Sequence, residues 1–300
     1  MKVLIIGSAG FVGQHLQKYL LKQSADVLGV DLSTSPRCDI LDPTSIQKAL
    51  TEIKPDTIFH LAAQSNVPES FKNPARTFEV NVIGTINLFE SIKEIRINPV
   101  ILVAGSAEVY GRVEKLPISE ENPLKPENPY AASKAAQDLV SFQYFKNYGL
   151  KIIRTRSFNH AGPGQSEAFV VSAFAKQIAE IEKDLKESII SVGNLEAKRD
   201  FTDVRDVVEA YALAVEKCEP GEVYNIASGR AYAISEVLEK LLSFSKVKIK
   251  IKPDPARMRP SDIPIIIGDS TKFRKKTGWQ PKIPFEKTLE DTLSWWRSKI

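Results

Sequence analysis

Cysteine and histidine are scarce in this 300-residue chain. It has two cysteines, Cys38 and Cys218, and three scattered histidines, His15, His60 and His160. Disulfide frameworks and structural zinc sites need several of these residues at characteristic spacings. The sequence therefore predicts neither a disulfide-stabilised fold nor a metal site.

Long apolar runs and a strong net charge are also lacking. No apolar run approaches the length of a transmembrane helix, and no signal peptide precedes the first predicted strand. The net charge is +4, which gives no indication of a nucleic-acid partner but suits a small polyanionic ligand. We expect a cytoplasmic protein that binds neither membrane nor nucleic acid.

The composition is that of a globular enzyme-sized chain. Hydrophobic residues make up 43% and charged residues 26%, which supports a sizeable core and excludes a disordered chain. The length suits one large domain or two closely joined domains, and no repeat or low-complexity linker interrupts it.

The first thirty residues carry a dinucleotide-binding pattern. Residues 3–6 are a continuous apolar run, typical of a strand buried on both faces. Gly7, Gly10 and Gly13 follow at three-residue spacing, then a helical pattern and a second apolar strand ending in Asp31. Glycines let the backbone approach a pyrophosphate, a helix N-terminus offers it free N–H groups, and the acid accepts from ribose hydroxyls. We predict a bound dinucleotide, with a generic βαβ unit as the alternative.

Strand and helix patterns then alternate through the first half of the chain. Apolar strands are predicted at 57–63, 100–106 and 151–158, with helices at 45–52, 74–93 and 130–148. This alternation predicts an α/β fold with a doubly wound parallel sheet, a Rossmann fold, whose binding residues lie at the carboxyl ends of the strands.

The second half has shorter elements and more loops. The predicted elements are a helix at 169–183, a strand near 190 followed by a loop and a helix running to 215, a strand at 223–226, a helix at 234–242, a strand at 247–251, a loop at 253–264 and a helix at 285–296. We expect residues 1–160 to form the dinucleotide domain and 161–300 mainly a smaller α/β substrate lobe, with about 190–218 as a segment that could return to the first domain.

A tyrosine and a lysine four residues apart form a candidate proton-transfer pair. Tyr130 and Lys134 would share one face of a helix. A nearby ammonium favours the phenolate and would lower the tyrosine pKa. Such a tyrosine can exchange a proton with an oxygen while hydride moves at carbon, and Ser106, at a predicted strand end, could hydrogen-bond the same oxygen. After a dinucleotide pattern, this arrangement favours an oxidoreductase over simple helix packing.

Five motifs together resemble the extended short-chain dehydrogenases/reductases of nucleotide-sugar metabolism. They are GSAGFVG (7–13), HLAAQS (60–65), NVIGT (81–85), SAEVYG (106–111) and YAASK (130–134), and the similarity covers essentially the whole chain. Segments 156–170, 192–203 and 259–269 resemble the enzymes of GDP-mannose metabolism, GDP-4-keto-6-deoxy-D-mannose reductase and GDP-mannose 4,6-dehydratase. The resemblance implies NAD(P)-dependent chemistry on a GDP-sugar.

The motifs and the resemblance assign roles to individual residues. The expected catalytic residues are Ser106, Glu108, Tyr130 and Lys134. The expected cofactor-binding residues, besides Tyr130 and Lys134, are Gly7, Gly10, Phe11, Val12, Gly13, Asp31, Asp39, Ile40, Leu61, Ala62 and Ala63. The expected substrate-binding residues are Asn159, Lys176, Arg199, Arg259 and Asp262. The two arginines suit a pyrophosphate because a guanidinium binds it through a fork of donors.

Glu108 bears on the choice between two activities. A 4,6-dehydratase must abstract the C5 proton and so needs a base beyond the tyrosine, and the Ser106-Ala107-Glu108 pattern fits that need. A reductase needs only hydride at C4 and a proton from the tyrosine, with Glu108 orienting the substrate. The chain is short for a dehydratase, and NHAGPGQ (159–165) lacks the arginines of the dehydratase pattern NHESPRRG, so we favour the reductase. A nucleotide-sugar 4-epimerase and a non-catalytic dinucleotide or nucleotide-sugar sensor are further alternatives.

The cofactor type and the oligomeric state are expected as follows. Asp31 would repel a 2′-phosphate and favours NAD(H), while Arg37 nearby leaves NADP(H) open. The resemblance implies a homodimer through two long helices, here about 74–93 and 130–148. Leu139, Phe142 and Phe145 are candidates for that contact, or else core residues.

Overall fold

A computed structural model describes residues 1–257 and 263–300 of the chain. The strands, in chain order, are β1 (Lys2–Ile6), β2 (Asp26–Val30), β3 (Thr57–His60), β4 (Val100–Ser106), β5 (Lys151–Ser157), β6 (Asn159–Ala161), β7 (Ile189–Val192), β8 (Lys198–Asp203), β9 (Val223–Ile226), β10 (Ala231–Ala233), β11 (Lys250–Pro253) and β12 (Ile265–Ile266). The α-helices are α1 (Phe11–Lys22), α2 (Pro43–Ile53), α3 (Val67–Lys72), α4 (Pro74–Phe78), α5 (Gly84–Ile95), α6 (Pro129–Tyr148), α7 (Val170–Glu182), α8 (Val204–Lys217), α9 (Ile234–Ser243), α10 (Thr271–Thr277) and α11 (Phe285–Lys299).

The central sheet has six strands in the order β2-β1-β3-β4-β5-β9, and all of its pairings are parallel. The strand order reverses between β1 and β3, so the crevice beyond their carboxyl ends is the place where doubly wound folds bind ligands. The predicted fold class is confirmed.

Helices cover both faces of the central sheet, and β1 is apolar on both sides. Leu4 and Ile6 pack into a cluster with residues of α2, α5 and α6. Val3 and Ile5 point the other way, into a cluster with residues of α1, α8 and α10. All four side chains are at most 1% exposed. The double burial explains why the run shows no alternation of polar and apolar residues.

A smaller lobe follows β5. Its sheet has the order β10-β8-β12, with β6 also paired to β8, and β7 pairs with β11. Helices α7, α9 and α11 pack on these strands through a separate apolar cluster that includes Phe174, Phe201 and Leu241. The chain returns to the central sheet in between, because α8 packs on α1 and β9 pairs with β5.

Within the segment of about 190–218 that was expected to return to the first domain, α8 packs on the central sheet. The strand β9 lies beyond that segment and joins the same sheet at Val223–Ile226. The strand β8 occupies a segment where the sequence predicts a loop leading into a helix. This segment forms a strand because it pairs with β6, β10 and β12, which are distant in sequence. Local sequence patterns therefore do not predict it.

The long helix expected at 74–93 is also divided. Helix α4 passes into a π-helical turn, Glu79–Ile83, before α5 begins. This turn holds the buried Asn81 towards the loop after β3, where its amide donates to the Gln64 carbonyl and the Ser133 hydroxyl. These contacts compensate for the irregular helix, as is common for π-turns near functional sites.

The expected strand at 247–251 lies instead at Lys250–Pro253, where its partner β7 pairs with it. None of the helices in the described ranges combines the length and apolarity needed to cross a bilayer.

Candidate active site

A cleft of about 290 Å³ opens beyond the carboxyl ends of the central strands, against the smaller lobe. It brings together most of the residues expected from the sequence. These are Gly7, Gly10, Phe11, Val12, Gly13, Leu61, Ala63, Ser106, Glu108, Tyr130, Lys134 and Asn159. In the described part of the chain, no group of three or more metal-binding side chains is found.

The glycine turn is shaped by close backbone approaches. Gly7 has φ +94°, and a Cβ there would lie 2.6 Å from the Ala62 nitrogen. A Cβ on Gly13 would lie 2.2 Å from the Gly7 carbonyl oxygen. Gly10 caps α1 without a side-chain hydrogen bond, so the first-turn N–H groups are not capped by a side chain. The turn and the bare helix end fit a pyrophosphate.

Three expected cofactor residues, Asp31, Asp39 and Ile40, are not part of the cleft lining. Asp31 directly follows β2, where its partly buried side chain lies beside the glycine turn, since both Gly7 and Ser8 donate to the Val30 carbonyl. The Asp39 carboxylate accepts from the Leu41 N–H at 2.9 Å. Ile40 is 6% exposed and packs in the core.

Ala62 also supports the turn from behind. Its N–H, like that of Leu61, donates to the Ile6 carbonyl at 2.9 Å. The two residues thus extend β3 alongside the end of β1, and Leu61 and Ala63 face the cleft.

Tyr130 lies in the first turn of α6. Asn128 fixes the start of the helix, since its side chain accepts from the Ala131 N–H at 2.8 Å. Ser106, the last residue of β4, hydrogen-bonds the Tyr130 hydroxyl. Burial raises the pKa of Tyr130 to about 12, and the Ser106 hydrogen bond opposes this only in part. Tyr130 is therefore a neutral phenol at physiological pH.

The pKa of Tyr130 is therefore raised, whereas the Tyr130–Lys134 spacing predicted that it would be lowered. The Lys134 ammonium donates to the Ala104 carbonyl at 2.6 Å and to the Gln137 side-chain oxygen at 2.5 Å. Burial also lowers the pKa of Lys134 to about 7, which weakens the cation itself. Loss of solvation thus outweighs the ammonium's effect on the phenol.

Glu108 lies in a 3₁₀ turn, Ala107–Tyr110, immediately after β4. Its N–H donates to the Ser106 hydroxyl, and its carboxylate accepts from the Asn128 amide at 3.2 Å. Because Asn128 also caps α6, one side chain holds Glu108 next to the helix that carries Tyr130.

The expected substrate residues fall into three groups. Asn159, at the start of β6, lines the cleft. Lys176 does not, because it pairs with Glu167 and lies 3.7 Å from Glu180. Arg199 is 8% exposed and outside the cleft lining.

The Arg199 guanidinium donates to the carbonyls of Lys198 and Ile263, so it contacts the residue that follows segment 258–262. Arg259 and Asp262 belong to that segment and lie outside the described residues.

The cleft also contains residues that the sequence analysis missed. They are Ser65, Asn66, Gln165, Phe169 and Tyr211, among others. Ser65 and Asn66 follow β3, so the rule that ligands bind at strand ends could have found them. Tyr211 comes from α8 and reaches Ser157 at 2.8 Å, a contact with no local sequence signal.

Comparison with known proteins identifies the family. Residues 33–292 match the family model described as GDP-mannose 4,6 dehydratase. The chain is 38% identical to the GDP-6-deoxy-D-mannose reductase of Pseudomonas aeruginosa over 301 positions, which covers 100% of this chain and 98% of that protein.

Two solved structures share the whole fold. RMD from Pseudomonas aeruginosa, complexed with NADPH, has a TM-score of 0.92 at 36% identity and covers 100% of this chain and 99% of its own. The UDP-glucose 4-epimerase of Thermus thermophilus, complexed with NAD, has a TM-score of 0.91 at 30% identity, with 100% of both chains covered. The resemblance seen in the sequence is confirmed: this chain belongs to the GDP-mannose 4,6-dehydratase family of extended short-chain dehydrogenases/reductases.

Proposed function

We propose that the protein is an NAD(P)-dependent oxidoreductase that reduces the C4 keto group of GDP-4-keto-6-deoxy-D-mannose to give a GDP-6-deoxyhexose. The observation that carries the proposal is the convergence of Ser106, Tyr130 and Lys134 with the glycine turn in one cleft. The full-length similarity to the reductase of Pseudomonas aeruginosa supports the substrate.

The residues fit a nicotinamide dinucleotide, because the space beside Gly7 and Gly13 admits no side chain and the end of α1 has no side-chain cap. When bound, this cofactor supplies the hydride. Tyr130 donates its proton to the C4 oxygen, while Ser106 holds that oxygen in place. Lys134, which lines the same cleft, would donate a hydrogen bond to the cofactor. Asn159 holds the sugar diphosphate from the opposite lobe.

We assign Lys176, Arg199, Arg259 and Asp262 supporting roles at the substrate, as the resemblance implies, with Lys176 and Arg199 acting from outside the cleft lining. Residues 1–160 with α8 and β9 would bind the cofactor, and the smaller lobe would hold the nucleotide sugar.

A 4,6-dehydratase is the second candidate because Glu108 lines the cleft. Its carboxylate is held there by the Asn128 amide at 3.2 Å. In the reductase, the same carboxylate would orient a sugar hydroxyl.

We propose NAD(H) as the preferred cofactor. Asp31, at the end of β2, would repel a 2′-phosphate. NADP(H) is the competing choice, since Arg37 is exposed and its backbone bridges to Asp31, and since the Pseudomonas aeruginosa RMD was solved with NADPH. Binding constants for NADH and NADPH would decide between them.

We further propose a cytoplasmic homodimer that pairs through α4, α5 and α6. Leu139 is 61% exposed and Phe142 41%, as a contact surface requires. Phe145 is partly buried, and its ring fills the space beside Gly221, so it belongs to the core side. Sedimentation of the wild type and a Leu139→Lys variant would test this pairing.

One pair of incubations tests the activity. We expect the protein with NAD(P)H to add two hydrogens to GDP-4-keto-6-deoxy-D-mannose, measured by mass spectrometry. Loss of water from GDP-mannose in the presence of NAD(P)⁺ would instead identify a dehydratase. No change in either mixture would refute both assignments, and unchanged turnover by Tyr130→Phe would refute the role of the tyrosine.

A further inference from the structure

A buried chain of hydrogen bonds runs from Lys134 into the core, away from the cleft. The Lys134 ammonium donates to the side-chain oxygen of Gln137 at 2.5 Å. The Gln137 amide nitrogen donates to the Thr85 hydroxyl at 2.7 Å, and that hydroxyl donates to the Asn81 carbonyl. His60 contacts the same hydroxyl through its Nε2 at 2.8 Å. Lys134, Gln137, Thr85 and His60 are all at most 3% exposed.

The orientation of the Gln137 amide follows from the chemistry of its neighbours. A lysine ammonium has only donors, so the amide oxygen must face Lys134. The NH₂ group then faces Thr85, which accepts from it while donating to Asn81. Reversing the amide would set donor against donor at Lys134 and leave the Thr85 hydroxyl without this donor, at a cost in this dry environment.

This arrangement determines where the lysine's third proton points. An ammonium has three N–H groups. The Ala104 carbonyl and the Gln137 oxygen take two of them from the β4 side and from within α6. Because Lys134 also lines the cleft, the remaining N–H is the one available to a ligand there.

In the described ranges, three titratable groups bear on the charge of Lys134 or share its helix and cleft. From β3 comes His60, whose pKa is lowered to about 3 by burial and by the Lys134 charge, so it is neutral. On α6, the charge of Asp138 favours the ammonium, and Tyr130, a neutral phenol, lines the same cleft. Asp138 is itself paired with two arginines of β5, Arg154 and Arg156.

Gln137 is therefore the one side chain in the described structure that accepts a hydrogen bond from Lys134. An acceptor on a buried cation stabilises its charged form. Burial opposes that charge and, although Asp138 favours it, lowers the pKa of Lys134 to about 7. Without Gln137, the cation would keep only a backbone carbonyl.

We propose that Gln137 is a positioning residue that keeps Lys134 protonated and aims its free N–H into the cleft. This inference rests on the proposed function for the role of Lys134 towards the cofactor. Thr85 and His60 act behind it by fixing the amide.

The test compares Gln137→Leu, which removes the acceptor, with Gln137→Glu, which is isosteric and supplies a charged one. NADH affinity is measured between pH 5 and pH 10 by fluorescence titration. We expect the affinity for NADH to fall as Lys134 deprotonates, with a midpoint at the pKa of Lys134. Gln137→Leu should move the pH of that midpoint down by about one unit, the effect of one lost hydrogen bond to a charged group. Gln137→Glu should move it up.

Gln177→Leu is the matched control, because it removes another buried glutamine amide, one that bonds Ser191 in the smaller lobe. It should lower the melting temperature and leave the midpoint in place. Unmoved midpoints in both Gln137 variants, or an equal movement in the control, would overturn the proposal. NADH binding requires no sugar, so a failure to turn over the GDP-sugar would refute the proposed function without affecting this result.

Discussion

The substitution Gly13→Ala should damage cofactor binding and stability together. The new Cβ would lie 2.2 Å from the Gly7 oxygen and 2.7 Å from the Ser8 Cα, whereas ordinary contacts of a Cβ begin near 3.4 Å. Both neighbours are backbone atoms, so the glycine turn and α1 must separate by about 1 Å rather than rotate a side chain aside. Overpacking of this kind costs about 1–3 kcal/mol.

The expected results are a melting temperature lower by about 2–10 °C and an NADH affinity lower by about 5- to 150-fold, the affinity equivalent of 1–3 kcal/mol. Differential scanning fluorimetry and fluorescence titration measure the two quantities. Gly10→Ala should lower the melting temperature and the NADH affinity less than Gly13→Ala does. Its Cβ would lie 3.2 Å from the Gly7 oxygen, and its φ of −68° suits any residue.

Gly278→Ala controls for the loss of a glycine as such. Its φ is +77°, but nothing lies within 4 Å of the added carbon, and the position is the C-cap of α10. It should lose about 1 kcal/mol of stability through backbone strain and keep full NADH affinity. Wild-type affinity in Gly13→Ala, or an equal loss of affinity in Gly278→Ala, would refute the close-approach argument.

Three further predictions concern charged groups. Asp138→Asn leaves Arg154 and Arg156 buried without a counter-ion, so the free energy of unfolding measured in urea should fall by about 3–5 kcal/mol. The control is Glu290→Gln, which breaks an exposed ion pair with Lys287 and should cost at most about 1 kcal/mol. The folded-state pKa of His60, about 3, lies below the unfolded value of 6.5, so the unfolded chain binds the proton first and stability falls as the pH drops from 6.5 towards 3, by about 1.4 kcal/mol per pH unit. His60→Gln should remove this contribution from the pH dependence of the urea midpoint, and an unchanged dependence would contradict the assignment. Glu108→Gln should lower reductase turnover by less than about 10-fold, whereas a loss of about 100-fold or more would indicate an acid–base role.

Local sequence patterns predicted the elements that are determined by local chemistry. The strand at 100–106 and the strand at 223–226 have the expected bounds, and the glycine spacing located the turn between β1 and α1. Apolar runs and glycines reveal such elements because burial on two faces and close backbone approach leave few other residue choices.

Features that depend on distant pairing could not be predicted. β8 becomes a strand only through partners at 159–161, 231–233 and 265–266. The π-turn at Glu79–Ile83 depends on Asn81 reaching Gln64 and Ser133.

The site shows the same division. Tyr130 and Lys134 both line the cleft, yet the direction of the tyrosine pKa depends on burial, which no spacing rule identifies. Lys176 pairs with Glu167 and lies 3.7 Å from Glu180, outside the cleft lining, and its place in the sequence gives no sign of these partners.

The most direct test of the proposed reduction is the transfer of deuterium from NADH or NADPH labelled at nicotinamide C4. The protein is incubated with the labelled cofactor and GDP-4-keto-6-deoxy-D-mannose, and the product is examined by NMR. We predict one deuterium at C4 of the sugar and one cofactor oxidised for each product formed. Absence of label in the sugar, with no oxidation of the cofactor, would contradict the assignment as a reductase.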